Sequence, residues 1–90
     1  MQTFVVERYV PRIRSEELRS DCERVCQALR EATGAEEGLS EVLYLHSVYV
    51  PDDEVSFCLY RSHSAESIAD GFDRANVAFD RILQAEVLEP

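Results

Sequence analysis

Side chains able to do chemistry are few in these 90 residues: two histidines, His46 and His63, three cysteines, Cys22, Cys26 and Cys58, and four tyrosines. No H-x-H, H-x-x-x-H or C-x-x-C spacing occurs that would hold a transition metal by itself, so a metal site needs ligands gathered from separate strands. Strand alternation supplies one such gathering. In the opening strand Val5, Glu7 and Tyr9 share one side and Phe4, Val6 and Arg8 the other. We assign the Phe4/Val6 side to the helices. A three-residue loop, Pro51 to Asp53, pairs Val50 with Glu54, and then His46 faces Cys58 and Tyr44 faces Tyr60. Leu43 and Leu45 join Val55, Phe57 and Leu59 in the core. The opposite face then collects Glu7, Tyr9, Tyr44, His46, Cys58, Tyr60, Gln84 and Glu86.

Two kinds of chemistry fit that collection. Imidazole, thiolate and carboxylate together suit nickel, copper or zinc by ligand softness, which makes His46, Cys58 and Glu7 the candidate metal ligands. Alternatively, His46 with Glu7 and Tyr60 as catalytic groups suits general acid–base work on a small molecule, as in an isomerase or cyclase. The plainer reading has His46 packed at a subunit interface with a satisfied hydrogen bond. All three depend on the register, because a four-residue loop moves Cys58 to the face opposite His46.

The remaining polar groups read as structure. His63 precedes a helix cap and suits a solvated turn, while Asp52, Asp53 and Glu54 form an acidic turn without the ligand spacing of a calcium loop. Cys22 and Cys26, four apart in a helical pattern, behave as small buried hydrophobes. No G-x-S-x-G, Gly-rich phosphate loop or zinc-deaminase signature is present.

The elements that must position these groups follow from patterning. Thr3 to Val10 is β-branched and aromatic, and Pro11 removes the next ladder donor. Ser15, with Glu16 and Glu17, caps a helix whose inner stripe is Leu18, Cys22, Val25, Cys26 and Leu29, ended by Thr33-Gly34. Glu41 to Val50 is a strand apolar on both alternating sets, and Glu54 to Arg61 returns as its hairpin partner. Ser64 caps a second helix lined by Ile68, Phe72 and Ala75, and Arg81 to Leu88 closes as a strand.

The order strand, helix, strand, strand, helix, strand gives an α+β ferredoxin-like βαββαβ domain spanning residues 1–90. Its four-stranded antiparallel sheet carries both helices on one face. The open face is too apolar to leave in water, so a homodimer through that face is expected.

A formal charge of −9 disfavours nucleic acid and anionic membranes as partners. No spanning segment, secretory signal or even set of cysteines is visible, which points to a cytoplasmic protein with reduced thiols.

The segments FVVERYVP, YLHSVYVPDDEVSFCLY, SAESIADGFDRA and FDRILQAEVLEP resemble the small nickel-binding ferredoxin-like proteins of domain-of-unknown-function family 4242. The resemblance spans nearly the whole chain. It implies an α+β sandwich that dimerises and nickel binding in at least part of the family, without fixing a ligand set. A small-molecule-binding dimeric α/β barrel and a non-catalytic interaction module are the alternatives.

Overall fold

The computed structural model describes residues 1–35 and 42–90. The elements are β1 (Gln2–Tyr9), α1 (Ser15–Ala35), β2 (Leu43–Val50), β3 (Val55–Ser62), α2 (Ala65–Ala75) and β4 (Arg81–Ala85). All pairings are antiparallel in the order β2-β3-β1-β4. This is the ferredoxin-like βαββαβ arrangement expected from the sequence. Glu41, expected to open the second strand, lies outside the described residues.

The helix ends have local causes. Ser64 is extended and its hydroxyl accepts from the Ser67 N–H at 3.3 Å, as expected of an N-cap. Asn76 ends α2 in the left-handed region, where its N–H donates to Asp73 and Phe72 carbonyls. At the start of α1, Ser15 is already helical, and the Glu17 carboxylate instead reaches back to the Arg14 N–H at 3.3 Å. Thr33-Gly34 does not end α1, which runs to Ala35. One glycine costs a helix only about 1 kcal/mol, which packing along a sheet offsets.

Phe4, Val6, Val25, Leu29, Ile68 and Phe72 form the core beneath the two helices, so the assignment of the Phe4/Val6 side holds. Arg8 shares that side. Its guanidinium is buried, satisfied by Asp21 Oδ2 at 3.0 Å and the Ala78 carbonyl at 2.9 Å, which ties β1 to α1 and to the approach of β4.

The hairpin register differs from expectation by one residue. Pro51–Asp53 forms a 3₁₀ turn and Glu54 follows in the left-handed region (φ 55°), so the loop has four residues and Val50 pairs with Val55. Glu54 is held there from outside the hairpin: its carbonyl accepts from the Val10 N–H at 2.7 Å and its carboxylate from the Arg12 N–H at 2.7 Å. His46 therefore pairs with Leu59, and Ser47 with Cys58. At Leu45 a bulge restores the offset, so that Tyr44 still pairs with Tyr60. In β3 the side chains turned toward the helices are Ser56, Cys58, Tyr60 and Ser62, all buried, while Val55, Phe57 and Leu59 lie on the open face. Leu83 pairs with Val5 and Gln84 with Phe4, so Leu83 rather than Gln84 joins the open face.

The two helices meet where Gly71 of α2 rests on Leu29 of α1. A Cβ on Gly71 lies 2.5 Å from Leu29 Cγ, inside any tolerable contact. Gly71→Ala is therefore expected to destabilise the fold by about 1–3 kcal/mol despite alanine's better helix propensity. In a Leu29→Ala background the same change becomes neutral or stabilising. Urea unfolding of the four proteins measures both effects.

Candidate functional site

Of the residues expected to form one site, the structure brings few together. Glu7 sits on the open face in a two-pronged ion pair with Arg81, at 2.9 and 3.3 Å. That pairing holds the Arg81 guanidinium above its ordinary pKa. Cys58 and Tyr60 lie on the opposite face, fully buried under the helices. His46 is exposed on β2, the edge strand, beside Leu59. Neither the metal set Glu7, His46 and Cys58 nor the acid–base set His46, Glu7 and Tyr60 is therefore gathered on one face. The fourth loop residue separates His46 from Cys58, since a shift of one exchanges the faces, and the β1–β3 register, with Glu7 opposite Phe57 and Val6 opposite Cys58, puts Glu7 on the face away from Cys58 and Tyr60.

A different group assembles instead. Cys22, on the inner stripe of α1, places its Sγ 3.8 Å from Cys58 Sγ of β3. Each sulfur also has a hydroxyl beside it: Ser47 Oγ lies 3.5 Å from Cys22 and Ser56 Oγ 3.5 Å from Cys58. Ser47 in turn is 2.6 Å from the Tyr44 hydroxyl. Tyr60, packed against Tyr44 and Phe72 with ring centroids 5.3 and 5.8 Å away, has a buried hydroxyl without a hydrogen-bond partner among the described residues.

This cluster floors the gap between α1 and the edge strand. One cleft of about 330 Å³ is lined by Leu18, Arg19, Cys22, Tyr44, His46 and Ser47. A neighbouring one of about 410 Å³ is lined by Arg19, Cys22, Glu23, Cys26, Arg30 and Tyr44. Arg19, Cys22 and Tyr44 are common to both. His46 reaches the first because the two sheet faces meet at an edge strand. Among the described residues no three of His, Cys, Asp and Glu are close enough together to hold an ion by themselves.

The thiols differ in acidity. Hydrogen bonding from Cys58 lowers the Cys22 pKa to about 6 against the opposing effect of burial, with further help from Ser47, Tyr44 and the Arg8 charge. Cys58 keeps the shared proton: its bond to Cys22, then burial, push its own pKa upward. Burial raises the phenols too, Tyr44 to about 12, and it also raises the Cys26 thiol. Cys22 was read from sequence only as a core residue. Its nearness to Cys58 depends on which alternating set of β3 meets α1, which periodicity within α1 does not reveal.

The acidity of Cys22 has two measurable consequences. In a Cys26→Ser variant, the rate of alkylation by iodoacetamide is expected to rise with a midpoint near pH 6, where an ordinary thiol shows one near 9. Because the folded-state pKa is the lower one, the stability this thiolate contributes is fully present above the ordinary thiol value and is lost as pH falls to about 6. Urea midpoints of wild type and Cys22→Ser should therefore converge over that interval as pH falls.

Comparison with known proteins places the fold and the family. The crystal structure of SCO4226 from Streptomyces coelicolor A3(2) superposes with a TM-score of 0.75 at 17% sequence identity, over 97% of this chain and 99% of that one. No curated protein matches the chain. No helix among the described residues is long and apolar enough to cross a membrane. The model of a family described as nickel responsive protein SCO4226-like matches residues 4–85. With nearly its whole length so matched, the chain belongs to the SCO4226-like family of nickel-responsive proteins.

Proposed function

We propose that this protein binds a divalent transition metal, nickel by kinship, through the thiolates of Cys22 and Cys58, and that it does so as a homodimer. The observation that carries the metal reading is the distance of 3.8 Å between the sulfur of Cys58 and that of Cys22, which lines an open cleft. Two ligands about 2.3 Å from a tetrahedral ion are separated by roughly that distance. Thiolates suit the borderline-soft late first-row ions, and Cys22 is the thiol that loses its proton most readily. The two sulfurs would hold the ion from the protein side, leaving its other positions to solvent or a small ligand entering the cleft. Of the ligands considered from sequence, Cys58 is retained. His46 lines the cleft mouth, and Glu7 is committed to Arg81 across the sheet.

The dimer reading rests on the open face. Val5, Phe57 and Leu59 lie there with Val48 and Leu83, the last two 49% and 40% exposed. Beneath the helices β3 instead presents two serines, a cysteine and a tyrosine. The strand's most apolar set thus looks away from its own helices, and a second copy laid against it removes that surface from water.

Calorimetric titration of the reduced protein with nickel is expected to show saturable binding of one ion per chain. Cys22→Ser and Cys58→Ser should each weaken it at least tenfold, and Glu7→Gln should leave it unchanged. Absence of saturable heat in the wild type removes the metal reading; unaltered binding in both serine variants removes the thiol assignment.

For the dimer, equilibrium sedimentation at micromolar concentration should give twice the chain mass, and the double variant Val48→Glu, Phe57→Glu should give a folded single chain. A wild type that sediments as one chain ends that reading.

A further inference from the structure

We propose that Cys22 is a site of covalent modification by low-molecular-weight disulfides, with Cys58 as the partner that resolves the adduct into an intramolecular disulfide. The inference rests on the metal reading only where it concerns metal release, since a cystine cannot supply the two thiolates proposed to bind the ion.

Access fixes the order of events. Cys58 is fully buried and lines neither cleft, so no reagent meets it first, whereas Cys22, itself only 5% exposed, lines both clefts at the edge of the sheet. Cys26 is the more exposed thiol and lines one cleft, but the Sγ facing Cys58, and so able to pass an adduct on to it, is that of Cys22. Closing a disulfide brings the sulfurs from 3.8 Å to about 2.05 Å, a travel of less than about 2 Å divided between two side-chain rotations. Ser47 and Ser56 each place a hydroxyl 3.5 Å from one of the sulfurs, able to stabilise whichever is ionised. Arg19 lines both clefts and Arg30 the second, in a chain whose formal charge is −9. These two guanidinium groups, with the Glu23 carboxylate beside them in the second cleft, attract a reagent bearing carboxylates to this mouth.

The chemistry balances in two displacements. Cys22 releases its proton to water and its thiolate attacks one sulfur of the small disulfide; a Cys22–S–S–R bond forms, and one thiolate leaves, with a proton returned from water to one of the two thiolates expelled. Cys58 gives its proton to a departing thiolate and attacks the Cys22 sulfur, forming the Cys22–Cys58 bond and expelling the second thiolate. The two cysteines lose two electrons and two protons; the small disulfide gains both and becomes two thiols.

Glutathione disulfide is the probe. After incubation with reduced wild-type protein, the mass should fall by the two hydrogens lost, thiol titration of the unfolded product should find Cys26 alone, and peptide mapping should join the segments holding Cys22 and Cys58. Cys58→Ser should accumulate a glutathione adduct on Cys22, Cys22→Ser should carry none on Cys58, and Cys26→Ser should behave as wild type. Three persisting thiols in the wild type, or a bridge that includes Cys26, overturn the proposal without recourse to any variant. Nickel titration separates the two readings. Oxidised protein that has lost the binding shown by reduced protein supports both. Disulfide formation in a protein that binds no nickel when reduced sinks the metal reading alone, and nickel binding by a protein that forms no disulfide sinks this one alone.

Discussion

The turn between β2 and β3 sets which side chains of those two strands stand opposite each other, and the neighbourhood of Cys58 follows from it. Three residues in a 3₁₀ turn and a left-handed Glu54 set the pairing of Val50 with Val55. A left-handed glutamate carries a steric cost, met here by two bonds to the chain that leaves β1, through Val10 and Arg12. The register of one hairpin is thus anchored by a third strand's exit. Pairing with β1, which sets Val6 opposite Cys58 and Phe4 opposite Tyr60, turns Cys58 and Tyr60 inward and Phe57 and Leu59 outward along β3.

That choice leaves an unusual division of polarity. The layer under the helices accommodates Arg8, Ser56, Cys58, Tyr60 and Ser62, and most of their polar atoms are bonded locally. Ser62 donates to the Ser64 carbonyl at 2.9 Å, while Arg8 is pinned by Asp21 and Ala78. The Tyr60 hydroxyl, unpartnered among the described residues, is the exception, and it belongs to the same cluster as the thiol pair. Buried polar groups are kept where they are satisfied or where they are used. Meanwhile the outward set of the sheet is aliphatic and aromatic, which a solitary subunit leaves half in water.

The thiol pair is positioned by rigid elements rather than loops. Cys22 sits within a long helix, and Cys58 at the centre of a strand paired on both sides. Their separation is therefore set by the packing of α1 on the sheet, and the bulge at Leu45 brings Tyr44 back to the same side to complete the cluster. Reactive groups so held neither drift apart nor need a ligand to assemble, and the cleft between α1 and the edge strand gives one of them an outlet.

The sequence by itself determined the element order, the cap at Ser64, the inner stripe of α1 and the side of β1 that faces the helices. These features rest on local propensity and on periodicity within single elements, where Leu18, Cys22, Val25 and Leu29 or Phe4 and Val6 speak for themselves. Only the tertiary structure decided which faces of β2 and β3 those elements meet. In β3 the hydrophobic pattern pointed the wrong way, because Val55, Phe57 and Leu59 look like a core set and are not. Turn length and a bulge are single-residue features without a periodic signature, yet each exchanges the faces of everything beyond it. Cys22 and Cys58, distant in the chain and each unremarkable alone, become a pair only once that exchange is known.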